Sequence, residues 1–422
     1  MMSLPDEVVL SPSILDTDLY KLTMQQAVLH HFPDARVRYK FDNRSKSTQF
    51  NRKCLELFQA NTELISDLKL TANERDWLKQ KCPYLKEEYL DFLSSLQLNP
   101  SEQVSTKFIP SELDDNIGQI EISVQGRWSE TILYEVPLMA ALSDAYFRTM
   151  DTDWEYDGQE ELAYQKGIKL FEEGVLLSEF GTRRRRSLKT QKLVIEGLIR
   201  ANETLRGDKK STGELKGTSN VHLARLYNLT PIGTIAHEWT MGVAAVKGYD
   251  APNMTALSLW EAVYPPEPTN ALHIALTDTF TSHVFFEELK EHPEFARRWR
   301  GIRQDSGDPI AFANCAAKTY GDIGVGVHEK VIIYSDGLDL ERSLRIRKDT
   351  EHLGFLASFG VGTYLTNDFK SVTTGQKSKA LNIVIKLAEI NGKPCVKLSD
   401  DPGKNTGDAD TVSFVKNLYG LI

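Results

Sequence analysis

Cysteine is scarce in this chain, and its placement excludes several chemistries. Cys54, Cys82, Cys315 and Cys395 are scattered, with neither metal-ligand nor redox spacing, which argues against a zinc site or a dithiol motif. They read as buried or incidental free thiols of a reducing compartment. No apolar run approaches the roughly 18 residues a membrane span needs, and the opening MMSLPDEVVLSPS lacks a basic segment followed by an apolar one, so no secretory leader is expected. Excess positive charge is missing too. The formal net charge of −9 argues against a general affinity for nucleic acid or anionic membranes. There is no internal repeat and no low-complexity segment. The expected compartment is cytoplasmic, with the nucleus also open.

What is present is ordinary for a globular protein, with 41% hydrophobic and 26% charged residues. At 422 residues the chain is long for one core, so two domains or one large elaborated domain are expected. A helix is predicted from Leu15 to His31, opened by Asp16-Thr-Asp18-Leu-Tyr20, whose carboxylates suit the positive end of the helix dipole. Tyr20 reads either as a half-buried helical tyrosine or as an aromatic platform. Ala35 to Asp42 alternates like a strand, residues 50 to 95 look helical with a break at Pro83, and Ile117–Gln125 and Ile132–Val136 read as strands around Gly126-Arg127-Trp128. An apolar helix is expected from Leu138 to Phe147.

From about residue 160 the rhythm becomes strand, then helix. Strand-like runs occur at Val175–Ser178, up to Gly217-Thr-Ser-Asn220, and at Leu229–Ala236, Leu272–Asp278, Ile302–Asp305, Val331–Tyr334 and Phe355–Phe359, with a Gly/Lys/Ser-rich loop leading to Gly213. Such alternation predicts a parallel sheet, and seven runs over this length suit a closed barrel, here an irregular one without an identifiable eighth strand. The tail, Asn382–Ile390, Asn391-Gly392 and Lys393–Leu398, carries the strongest two-residue hairpin signal and is expected to rejoin the N-terminal unit. The expected division is an α+β unit over 1–137, an α/β barrel over 138–375, and a returning segment over 376–422.

Barrel chemistry gathers at the carboxyl ends of strands. Those ends supply Glu179, Arg183, Thr218, Ser219, Thr234, His237, Asp278, Arg303, Asp305, Ser306, Asp308, Asp336 and Thr363. A lone histidine is more often a core or capping residue, but His237 comes with six similarly polar strand ends. Carboxylates beside arginines suit a ligand with phosphates, hydroxyls and Mg2+. Arg303-Gln-Asp305-Ser-Gly-Asp308 concentrates two carboxylates and a guanidinium at one turn, the alternative being a solvated acidic turn. Gly360-Val-Gly362-Thr363 reads as a tight turn or a backbone nest for phosphate. In the run Arg183–Arg186, one or two guanidiniums are expected to grip an anion and the others to be solvated or paired with acids such as Glu179.

With these residues assembled, the chain resembles the nicotinate phosphoribosyltransferase family, its spelling being similar to fungal members. Seven motifs carry the likeness in family order: Asp16-Thr-Asp18-Leu-Tyr20, Glu179-Phe-Gly-Thr-Arg183-Arg184, Gly217-Thr-Ser-Asn220, Gly233-Thr234-Ile-Ala-His237, Arg303-Gln-Asp-Ser-Gly-Asp308, Ser335-Asp336-Gly337-Leu-Asp339 and Gly360-Val-Gly-Thr363. The resemblance implies an irregular barrel of the type II phosphoribosyltransferase kind, with an α+β sandwich domain built from the N- and C-terminal segments. It further implies nicotinate mononucleotide formation from nicotinate and 5-phosphoribosyl 1-diphosphate in NAD salvage, coupled to ATP hydrolysis through a phosphohistidine at His237. Carried over residue by residue, Tyr20 stacks on nicotinate, Thr234 and Arg303 hold it, and Arg183 lies close by. Thr363, with Gly360, Gly362, Ser335 and Asp336, takes the phosphoribosyl diphosphate, while Asp305 and Glu179 join His237 as catalytic groups. Magnesium is expected to arrive with the diphosphate rather than to sit on protein ligands. The oligomeric state stays open between homodimer and monomer.

Two departures stand out: the arginine run is longer than the motif requires, and the tail after Gly407 matches nothing recognisable. The alternatives are a nicotinamide phosphoribosyltransferase, a catalytically silent barrel that binds NAD precursors, and a nucleic-acid binder acting through Arg183–Arg186.

Overall fold

The structure, a computed structural model, describes residues 13–206, 212–266 and 271–422. The reading of residues 1–12 and most of the loop before Gly213 (207–211) fall outside the described residues. Two sheets organise the chain. In the first, the strand Arg36–Asn43 lies between Ile117–Arg127 and Ile383–Ile390, antiparallel to both, with Val104–Pro110 and the short Phe50–Asn51 also paired to Ile117–Arg127. A strand from the far end of the chain therefore completes the N-terminal sheet, in the register Lys40↔Lys386 and Asn43↔Ile383. The helix Arg52–Glu63, capped by the Asn51 side chain, packs against it, and the helix Ala72–Lys81 opens with a Thr71–Glu74 capping box.

The second sheet is wholly parallel, with strands in the order Glu214–Thr218, Leu176–Glu179, Leu356–Val361, Val331–Tyr334, Gly301–Gln304 and Ile274–Leu276. Helices between consecutive strands cover it, as parallel connections require. Here is the irregular α/β barrel with its second, mixed unit of N- and C-terminal segments. Among the described residues no helix is long and apolar enough to cross a membrane.

Three expected elements differ. Leu229–Ala236 forms no strand: a single parallel bridge joins Pro231 to Thr218, after which the chain runs extended past the sheet edge. Only Pro231 and Ile235 of this run are buried, so its apolar, β-branched composition is no sign of ladder pairing. Ile132–Val136 also forms no strand but a 3-10 turn, Ile132–Tyr134, running into the helix Glu135–Thr149. Four of its five residues are buried apolar side chains, and so short a run carries no clear period to tell strand from helix. The first helix starts at Leu19, because Asp16 and Asp18 turn away to bond the barrel.

The helix His237–Lys247 is held from below by aromatic packing. Trp239 lies 6.3 Å from Trp128 and 5.9 Å from Trp260, between ring centres. Gly242 faces Trp128 so closely that a Cβ there would stand 2.3 Å from the indole. Burying an indole contributes about 3–5 kcal/mol against alanine, so this cluster fixes the helix start, and with it His237.

Candidate active site

His237 is the first residue of that helix rather than the last of a strand, with Ala236 in extended conformation as its cap. Its imidazole still reaches the carboxyl ends of the parallel strands. Nδ1 lies 3.1 Å from Thr279 Oγ1, while Nε2 lies 3.0 Å from Asp305 Oδ2 and 3.6 Å from Asp278 Oδ1. Lys397, from the C-terminal segment, places Nζ 2.9 Å from the same Nε2 and 3.0 Å from Asp278 Oδ2. Burial, and then the Lys397 ammonium, push the His237 pKa down to about 4 against the pull of Asp278 and Asp305. The imidazole is therefore neutral near pH 7. Burial alone would raise the Asp305 pKa, but the Arg303 guanidinium beside it holds it well below the usual carboxylate range.

Asp305 anchors a rigid corner. Its Oδ1 accepts from Arg303 Nη2 at 2.9 Å and from Ser335 Oγ at 2.6 Å, and Arg303 Nε donates to Ser335 Oγ at 2.8 Å. The third guanidinium nitrogen, Nη1, meets Ile235 O at 3.4 Å, which ties this corner to the extended segment before His237. Next along the sheet, Gly360 lies in the strand Leu356–Val361 and Gly362 and Thr363 follow it; Phe359 of that strand pairs with Tyr334, itself paired with Gln304. A Cβ at Gly362 would stand 3.0 Å from the Phe180 carbonyl, so close backbone approach explains that glycine. His237, Arg303, Ser335 and Thr363 thus open at one end of the barrel. Asp336 is there too, paired with Lys404 Nζ at 2.9 Å.

A second group adjoins it. Tyr20 is buried at the start of its helix, with the Arg183 guanidinium 6.0 Å from its ring centre. A Cβ at Gly233 would stand 2.9 Å from Tyr20 N, which brings Thr234 alongside. Thr234 O accepts from Thr23 Oγ1 at 2.8 Å. Tyr20, Arg183, Thr234 and Arg303 are therefore neighbours although they come from four parts of the chain.

Two expectations need correction. Glu179 closes the strand Leu176–Glu179, but its carboxylate is fully buried and accepts from Gly181 N at 2.5 Å, Thr218 Oγ1 at 2.6 Å and Gln191 Nε2 at 2.9 Å. Those bonds fasten the loop that carries Arg183, and the carboxylate has no surface open to the barrel mouth. Burial raises its pKa. Within the arginine run none pairs with Glu179. Arg183 donates to Glu135 at 3.0 Å, and Arg185 grips Asp16 through two bonds of 2.8 and 2.6 Å. Arg186 is fully buried against Phe147, Phe369 and Trp154. Arg184 donates to Ile383 O, and burial with the neighbouring Arg183 and Arg44 charges pushes its pKa down to about 10.

Other strand-end residues serve the scaffold. Asp308 caps the helix Pro309–Asp322, and Ser219 donates to Asp18. Glu238, next to His237 in sequence, is turned away from the imidazole and accepts from Lys21, Tyr39 and Trp128. Asp305, Asp278 and Thr279 surround the ring instead. Sequence reasoning missed Lys397, Lys404 and Lys386, all from the returning tail. The available signal was Lys397 itself, a lysine between Val396 and Leu398 in an apolar strand-like run, which burial would force to find a carboxylate.

The donor atoms of His237, Asp278 and Asp305 lie within 4.8 Å of one another, a spacing that a cation could use. The chemistry does not suit a resident magnesium ion, which prefers oxygen ligands and its own waters. The Lys397 ammonium already stands between His237 and Asp278.

Fold and site define a class, the type II phosphoribosyltransferase-like barrel, with cations and carboxylates gathered round a partly buried neutral histidine. The family model described as "Nicotinate phosphoribosyltransferase (NAPRTase) family" matches residues 175–421, and that of the NAPRTase N-terminal domain matches residues 15–143. A nicotinate phosphoribosyltransferase of Saccharomyces cerevisiae is 41% identical over 413 residues, covering 97% of this chain and 95% of the relative. A crystal structure from the same yeast superposes with TM-score 0.94 at 40% identity, covering 99% of this chain and 100% of that one. The nicotinate phosphoribosyltransferase of Porphyromonas gingivalis gives 0.87 at 34% identity, covering 97% and 100%. The chain belongs to the nicotinate phosphoribosyltransferase family.

Proposed function

We propose that this protein makes nicotinate mononucleotide and diphosphate from nicotinate and 5-phosphoribosyl 1-diphosphate, as a step of NAD salvage. ATP hydrolysis is coupled to the transfer through transient phosphorylation of His237. One observation carries the reading: a neutral histidine stands where the barrel's cations and carboxylates converge. Neutral imidazole is a competent nucleophile near pH 7.

In this reading Tyr20 is the face for the pyridine ring, and Thr234, Arg303 and Arg183 surround its carboxylate. A guanidinium recognises a carboxylate through two hydrogen bonds, which the amide of nicotinamide cannot reproduce. Gly360, Gly362, Thr363, Ser335 and Asp336 receive the phosphoribosyl diphosphate. Bond breaking at the anomeric carbon generates an oxocarbenium-like centre, so positioning and charge stabilisation supply the rate. Asp305 is suited to steady that charge, because it is held ionised and fixed by Arg303 and Ser335. Magnesium enters as part of the diphosphate or ATP substrate. The working compartment is the cytoplasm.

Product formation measured with nicotinate and with nicotinamide tests the reading. ATP-stimulated turnover of nicotinate is expected, and turnover of nicotinamide alone would overturn it.

A further inference from the structure

His237 Nε2 has two partners that make opposite demands. The Asp305 carboxylate at 3.0 Å can only accept a hydrogen bond, and the Lys397 ammonium at 2.9 Å can only donate one. A neutral ring nitrogen satisfies one of them at a time. With its proton on Nε2, the ring donates to Asp305 and has no lone pair there. With its proton on Nδ1, directed at Thr279 Oγ1, Nε2 is bare and accepts from Lys397.

We propose that Lys397 is a positioning residue for the phosphorylation of His237: it selects the tautomer with a bare Nε2 and follows the incoming phosphoryl group with its ammonium. This rests on His237 being the phosphorylated residue. Nε2 attacks the γ-phosphorus of ATP, forming the N–P bond, while the bond from that phosphorus to the bridging oxygen breaks and its electron pair leaves on ADP. The ring retains the Nδ1 proton and carries one positive charge beside the dianionic phosphoryl group. The Lys397 ammonium, displaced from Nε2, then pairs with a phosphoryl oxygen.

The surroundings are built for that exchange. Lys397 is 3% exposed, and its backbone N–H and carbonyl both bond Thr406 at 2.9 Å. Leu398 N donates to Thr279 O at 2.8 Å, so one short segment places the lysine and also holds the residue that faces Nδ1. A lysine that only neutralised Asp278 would have no need of an imidazole nitrogen already claimed by Asp305. Asp278 Oδ1 is buried without a hydrogen-bond partner, 3.6 Å from Nε2. The charged groups around the ring are Asp278 and Asp305 from the strand ends, Lys397 from the tail, Lys386 from the strand Ile383–Ile390 and Arg303 behind Asp305.

The test is incubation of the full-length protein with γ-labelled ATP, following acid-labile phosphate on wild type, Lys397→Gln and Lys397→Arg across pH. Wild type is expected to carry the phosphate on Nε2 of His237. Lys397→Gln should phosphorylate on the order of 100-fold more slowly. Its acid-side midpoint should lie at higher pH than that of wild type, because a cation beside the imidazole has gone. Lys397→Arg should recover part of the rate. A Lys397→Gln variant with wild-type rate and midpoint would overturn the proposal alone. Phosphate on Nδ1 of the wild-type ring would also overturn it, and that measurement needs no variant to fold. No phosphate on wild-type His237 would overturn the phosphohistidine reading, and the proposal with it.

Discussion

Asp305 presents Oδ2 to His237 Nε2 at 3.0 Å, and this contact joins the two halves of the proposed chemistry. The same carboxylate is fastened through its other oxygen to Arg303 and Ser335. Asp305→Asn keeps the shape and removes the charge. It leaves Arg303 without its ion pair and the ribosyl centre without a fixed anion. The expected result is a fall in kcat for nicotinate mononucleotide formation of about 100-fold, with the folded state retained. A kcat within about threefold of wild type would remove Asp305 from the mechanism.

A pH dependence of stability follows from His237. Its pKa is about 4 when folded, against about 6.5 for an unfolded histidine. The unfolded chain therefore binds more protons between those values, and stability falls as pH drops through that window. The contribution is fully present above about pH 6.5 and lost progressively towards pH 4, up to roughly 3 kcal/mol. Denaturant melts of wild type and His237→Asn across this range should differ in slope. Parallel curves would show that the histidine is not held neutral.

The pairing of Arg185 with Asp16 is a third test. Both are buried, and two hydrogen bonds of 2.8 and 2.6 Å join them across the contact between the first helix and the barrel. Removing one partner strands a buried charge, at a cost of about 3–5 kcal/mol. Arg185→Met should lower the thermal midpoint by several degrees, while Arg185→Met with Asp16→Asn should recover part of the loss. An unchanged melt for the single variant would mean that water already reaches Asp16.

How legible the site was depended on what each residue answers to. The parallel strands were readable because βαβ alternation leaves both a composition and a period. Tyr20, Thr234, His237, Arg303 and Thr363 were readable as short motifs at element ends, although the element before His237 is an extended seam and not a strand. Glu179 was misread because a carboxylate at a strand end looks the same in sequence whether it faces the cavity or the loop beneath it. Lys397 is marked in the sequence only as a lysine inside an apolar run, and Lys404 not at all, because their partners, Asp278 and Asp336, lie 119 and 68 residues away, and only the returning tail brings them into the mouth. No local pattern encodes that meeting.

Lys404 shows what the tail contributes at the mouth. Its Nζ meets Asp336 at 2.9 Å, and both side chains remain about a quarter to a third exposed. A pair so open to solvent contributes well under about 1 kcal/mol to stability, so Lys404→Ala should melt within about two degrees of wild type. Its effect belongs to binding. Asp336 follows the strand Val331–Tyr334, which pairs with Leu356–Val361, and without Lys404 its bare carboxylate would repel an incoming diphosphate. The expected result is a KM for 5-phosphoribosyl 1-diphosphate raised roughly tenfold, with little change in KM for nicotinate. Added salt should narrow the difference, because screening weakens an exposed repulsion. An equal rise for both substrates would point instead to a displaced tail, and Lys404 would then be a structural anchor without a place in the binding of diphosphate.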